Sequence, residues 1–111
     1  MKGDVKPVAL ASNVSTGVLF TGPTRLRGFI AQSTGSSGVA IINGLTNSTT
    51  VNTNTTTQVY IPISVGAGQV ETLNIPEDGV LYAERNGVGI VDGIGIAGNT
   101  SGLAITLFID K

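Results

Sequence analysis

Residues 93–98 read Gly-Ile-Gly-Ile-Ala-Gly and match the pattern G-x-G-x-x-G letter for letter. In dinucleotide-binding folds a strand delivers the first glycine and a helix begins at the third. The helix's N-terminal amides then hold the pyrophosphate, and an acidic residue about 20 positions later holds the ribose. Here Gly98 is followed by Asn99-Thr100-Ser101-Gly102 and then by the strand-like run Leu103 to Ile109, close to the final residue Lys111. No room is left for the helix, the next strand or the acid. The match fails on its context, and no nucleotide or other cofactor is expected.

Other chemistry-bearing residues are sparse. The chain has no His and no Cys, which removes the commonest general base, the imidazole metal ligand and the thiolate nucleophile. Carboxylates remain at Glu71, Glu77, Asp78, Glu84 and Asp92. Glu77 and Asp78 are adjacent in a turn-like Pro-Glu-Asp-Gly, and the acids are too dispersed for a calcium loop around Asp78 or Asp92. No catalytic residue and no metal site is expected, and an enzyme is not the expected reading. Arg25, Arg27 and Phe29 in Thr24-Arg25-Leu26-Arg27-Gly28-Phe29 recur at the strand period, which predicts one cationic and aromatic patch. Such a patch is either two solvated arginines on an outer sheet face or an interface anchor.

The elements that must position these residues read as strands. The 111 residues suffice for one domain with one core, expected over 1–111. With 41% hydrophobic and 12% charged residues the body of the chain is not expected to be disordered. Candidate strands are Pro7 to Ala11, Val18 to Phe20, Arg25 to Gln32, Val39 to Ile42 (stopped at Asn43-Gly44), Val59 to Val65, Val70 to Ile75, Val80 to Glu84 and Leu103 to Ile109. Pro62 marks an edge strand or a bulge. Leu103, Ile105, Leu107 and Ile109 should share one face. About eight short strands separated by turns predict an all-β sandwich or barrel.

The glycine stretch fits this plan in either of two ways. As one strand, it turns Gly87, Gly89, Gly93 and Gly95 to a face almost without side chains, opposite Ile94 and Ile96. As a hairpin, it turns at Asp92-Gly93. The bare face would pack either inside the domain or against a symmetry mate. Residues 46–57, rich in Asn and Thr, are expected to form a long polar surface loop or a polar strand pair, or, on a functional reading, a projecting loop that touches a partner or a sugar. The N-x-S/T triplets at Asn13, Asn47, Asn54 and Asn99 arise readily in so Ser/Thr-rich a chain.

The net charge of −1, with six Lys and Arg, predicts no nucleic-acid partner. No apolar run approaches the length of a membrane helix, and the first residues show no signal-peptide core, so a soluble protein without an export signal is expected. Residues 1–8, with Lys2, Asp4 and Val5, are expected to act as an N-terminal arm held by a neighbouring subunit or a lattice.

The succession G-V-L-F-T-G-P-T-R-L-R-G-F (17–29), I-P-E-D-G-V-L-Y (75–82), the glycine-rich stretch and A-I-T-L-F-I-D (104–110) resembles small virion proteins of tailed bacteriophages, especially marine podovirus-like ones. These are head decoration (cement) and accessory structural proteins. The resemblance implies a jelly-roll-like β-sandwich, a homo-oligomer (often a trimer), and binding to the major capsid protein lattice or to other virion proteins. It carries no catalytic residue. The expected place is then the virion, assembled in the host cytoplasm, with a neck or tail accessory role or a carbohydrate-binding adhesion module as alternatives. The contact residues expected on this reading are Lys2, Asp4, Val5, Arg25, Arg27 and Phe29, with Gly87, Gly89, Gly93 and Gly95 for close packing.

Overall fold

The computed structural model describes residues 5–10, 15–33, 35–54, 59–76, 79–83, 91–99 and 103–110. All regular structure among them is β-strand: β1 (Val5–Leu10), β2 (Gly17–Thr21), β3 (Thr24–Gln32), β4 (Gly38–Asn47), β5 (Thr50–Val51), β6 (Ile61–Val65), β7 (Val70–Asn74), β8 (Val80–Tyr82), β9 (Val91–Ala97) and β10 (Ala104–Asp110). The strands number ten rather than about eight. The two beyond the candidate strands are β5, inside the Asn/Thr-rich stretch, and β9, in the glycine-rich stretch.

The strands build two antiparallel sheets. One has the order β1-β10-β3-β7, with β8 also on β3; the other has the order β2-β9-β4-β5, with β6 also on β4. The chain passes from the first sheet to the second and back through β1, β2, β3 and β4. It stays in the second through β6, returns for β7 and β8, and ends through β9 and β10.

Period-two sequence explains the packing. Ile105, Leu107 and Ile109 of β10 are buried, while Ala104, Thr106, Phe108 and Asp110 alternate to the outer face. The residues buried from the first sheet (Leu26, Phe29, Ala31) meet Ile42, Ile63, Val65, Ile94 and Ile96 of the second in one core cluster, the arrangement of a β-sandwich. Tyr82 and Leu103 fill the same core and are fully buried.

Two departures from simple alternation matter. First, β4 does not stop at Asn43-Gly44. It runs on to Asn47, because the buried Asn43 amide donates to the Asn54 carbonyl at 3.0 Å and its Oδ1 accepts the Gly44 N–H at 2.9 Å. The register shifts between Asn43 and Leu45, and the turn comes at Ser48-Thr49, so residues 46–51 take the strand-pair form of the two expected for the stretch, of which residues 55–57 lie outside the described residues. Second, β9 is a single strand without a turn at Asp92-Gly93. From Val5 onward, the expected N-terminal arm is a strand paired with β10.

Candidate interaction surface

The bare glycine face of β9 is covered from within the chain. Leu45, Val51 and Ala97 form a second apolar cluster on the outer side of the β2-β9-β4-β5 sheet, flanked by Val18, Ile41 and Val91. A Cβ on Gly95 would stand 2.5 Å from Val51 Cγ2 and 2.7 Å from the Gly17 carbonyl oxygen; one on Gly93 would meet Leu45 and the Phe20 carbonyl oxygen. The β4–β5 hairpin thus folds its Leu and Val onto the glycines. Gly93 also has φ +136°, a conformation that side-chain-bearing residues rarely adopt. These two glycines serve internal packing. Gly87, Gly89, Lys2 and Asp4 lie outside the described residues, as do Glu77, Asp78 and Glu84.

The opposite outer surface, on the β1-β10-β3-β7 sheet, is open. Here the predicted Arg25-Arg27-Phe29 patch is corrected. Phe108 of β10 pairs with Gly28, but Ile109 pairs with Leu26, so Arg27 is the extra residue of a β-bulge. That added residue resets the alternation. Leu26 and Phe29 both face inward, Phe29 is buried in the core, and the patch loses its aromatic ring. Arg25 is partly exposed and faces away from the core beside the fully buried Leu26. Arg27 reaches across the sheet, and its Nη1 donates to Asp110 Oδ2 at 3.1 Å. Its Nε is buried without a hydrogen-bond partner.

Beside this ion pair lies a groove of about 430 Å³. Its lining combines Val5 of β1, Phe108 of β10, Gly28 and Ile30 of β3, and Thr72 and Asn74 of β7, with Arg27 at its margin. A Cβ on Gly28 would lie 2.5 Å from the Leu73 carbonyl oxygen, so glycine lets β7 approach closely and leaves no side chain between Phe108 and Asn74. Exposed apolar side chains gather around it: Val5, Ile30 and Val70, each about half exposed. The surface therefore offers aliphatic and aromatic contact area, neutral hydrogen-bonding groups at Thr72 and Asn74, and an ion pair already satisfied internally. This is the make-up of a protein-binding patch, apolar at the centre and polar at the margin.

Sequence reasoning placed Val5, Arg25, Arg27 and Phe29 at an interface; the fold brings Val5 and Arg27 to this groove, sets Phe29 in its lining with the ring buried in the core, and leaves Arg25 outside it. It missed Gly28, Ile30, Thr72, Asn74 and Phe108. The outward position of Phe108 was a usable signal, since it alternates with the buried Leu107 and Ile109. Among the described residues no group of three acidic residues converges to hold a metal ion. Among the described residues no helix is long and apolar enough to cross a membrane either. No protein family, curated protein or solved structure matches the chain.

Proposed function

We propose that this protein is a non-enzymatic structural protein of a tailed-phage virion that docks onto the major capsid protein lattice and stabilises it. The observation that carries the docking part is the groove at Gly28 with Val5, Ile30 and Val70 exposed around it, an apolar surface with polar groups at its margin. The virion part rests on the resemblance of residues 17–29, 75–82 and 104–110. The strand order supports a jelly roll, because β1-β10-β3-β7 facing β2-β9-β4-β6 is the interleaving that two Greek keys produce. Many copies bound to an assembled shell stabilise it by mass action, since they bind the assembled state and not its free subunits. The residues assigned to contact are Val5, Ile30 and Phe108, with Arg27 at the margin.

The test is a binding titration of the purified protein on particles stripped of it, with Ile30→Lys as the probe. Ile30 points away from the core, so the variant should fold, and its affinity should fall by roughly tenfold or more. Unchanged occupancy by Ile30→Lys would remove this face as the docking surface. Bound copies covering the shell mean decoration, whereas a single ring of copies means a neck or tail position.

A further inference from the structure

The edge strands of the two sheets are not alike. An exposed edge presents unpaired N–H and C=O groups, and proteins blunt it with Pro, Lys, bulges or very short strands. β1 carries Lys6 and Pro7, and β6 carries Pro62. β2 is broken by a register shift between Val18 and Phe20. β5 has 2 residues and β8 has 3. β7 lacks these devices, and its one charge is Glu71, which shares the core-side face with its partner Ala31. Val70–Asn74 is exposed at every residue, pairs with β3 without a register shift, and contains no Pro and no Lys. Among the described residues no strand pairs with its other edge.

The direction of its backbone groups follows from its neighbours. Ile75 N–H donates to the Arg27 carbonyl at 2.9 Å, and the Gln69 carbonyl accepts from Ser33 N–H at 2.9 Å. In an antiparallel ladder these bonding positions alternate. Glu71 and Leu73 therefore turn their backbone groups to β3, and Val70, Thr72 and Asn74 turn theirs to the free edge.

We propose that β7 is a self-association edge, which pairs antiparallel with β7 of a second copy about a two-fold axis through Thr72. In that register Thr72 meets Thr72, and Val70 meets Asn74 on either side. Every outward N–H and C=O of Val70, Thr72 and Asn74 then finds a partner. Thr–Thr is a favourable cross-strand pair. Glu71, the one charged residue of β7, lies opposite Leu73 of the second copy. Moving the axis to residue 71 would set the two Glu71 carboxylates face to face, which like-charge repulsion disfavours. A strand of another protein would meet the same hydrogen-bonding edge, but nothing in β7 selects a foreign sequence, whereas its own sequence is complementary to itself.

The pairing joins the two β1-β10-β3-β7 sheets into one continuous sheet. The β3 strands, and with them the grooves at Gly28, then lie about 14 Å apart on the same face, three strand spacings across the axis. This inference does not depend on the docking surface, because it concerns the isolated protein.

The test is sedimentation of the full chain over a micromolar-to-millimolar dilution series, compared with three variants. The Thr72 N–H points to the free edge, so Thr72→Pro removes an interchain donor and leaves the β3 ladder intact. It should weaken the dimer by about thirtyfold or more. Thr72→Lys sets two ammonium groups against each other across the axis and should weaken it similarly, which guards against misfolding of the proline variant. Leu73→Lys sets an ammonium opposite Glu71 of the second copy, and should leave the dimer intact or tighten it at low salt. A wild-type chain that stays monomeric to millimolar concentration overturns the proposal. So does a dimer indifferent to both Thr72 variants, or a chain that binds an added peptide strand at β7 without self-associating.

Discussion

Tyr82 is the residue on which burial acts most strongly. It closes β8, is fully buried, and its hydroxyl donates to the Val59 carbonyl at 2.6 Å. Burial penalises the phenolate and raises the pKa above the ordinary value near 10. The native state therefore holds its proton to higher pH than the unfolded chain does. The stabilisation is present in full below about pH 10 and is lost as pH rises above that value. Thermal melts from pH 8 to pH 12 should show the midpoint falling above about pH 10, and Tyr82→Phe should lessen that fall. At neutral pH the same variant should cost about 1–3 kcal/mol, because the buried Val59 carbonyl loses its donor. A variant whose alkaline limb matches wild type would mean that Tyr82 does not control it. Asn99 makes a related point about legibility. Its N-x-S/T triplet read as one that a Ser/Thr-rich chain produces readily, yet the amide is buried and both bonds to Leu103, at 2.9 Å each, hold Asn99 to the core. Short polar residues look alike in sequence whether they face water or satisfy buried backbone, because the difference lies in partners that only folding brings near.

At the level of elements, alternation was legible and its interruptions were not. Leu103, Ile105, Leu107 and Ile109 were placed on one face by period alone, and all are buried. Ile94 and Ile96 went to the core opposite Gly93 and Gly95 as the strand reading required. The bulge at Arg27 was hidden, since it arises from the pairing of β3 with β10, whose sequences are far apart in the chain. That one extra residue moved Phe29 from the expected patch into the core. A polar strand pair was one of the two readings of residues 46–57, but the packing that fixes β5 was hidden for a similar reason, because Val51 is a single apolar residue among Thr and Asn and its worth comes from landing on Gly95. The contact makes a sharp prediction. In Gly95→Ala the new methyl would meet Val51 Cγ2, which can turn away, and the Gly17 carbonyl oxygen at 2.7 Å, which belongs to the paired strand β2 and cannot. Overpacking of this kind costs about 1–3 kcal/mol. Denaturant unfolding should show that loss, and pairing it with Val51→Ala should recover only the part due to the side chain. A neutral Gly95→Ala would mean that β2 and β9 have slack at this point.

For the whole molecule, the governing quantity is how little charge there is and where it sits. The chain has 12% charged residues and a net charge of −1, so it has no strong field to steer a partner from a distance. On the proposed docking face, Arg27 is engaged by Asp110. The surrounding Val5, Ile30 and Val70 expose apolar area instead. Affinity there should come from removing that area from water and from shape complementarity. Ionic screening reaches charge pairs and leaves apolar burial nearly untouched. The dissociation constant on particles should therefore change by less than about threefold between ~50 mM and ~500 mM NaCl. A surface that bound through released counterions would lose affinity by orders of magnitude over the same range. Sulfate, which strengthens apolar burial, should tighten binding at matched ionic strength. Binding titrations in the two salts separate the cases. A fall of more than about tenfold in NaCl would transfer the docking role from the groove at Gly28 to charged residues elsewhere on the molecule. The β7 edge should be insensitive to NaCl for the same reason, apart from the Leu73→Lys and Thr72→Lys variants, whose added attraction to Glu71 and mutual repulsion are screened charge pairs. The two proposed surfaces can therefore be tested in one set of buffers, with the oligomer read on the free protein and the docking read on the particle.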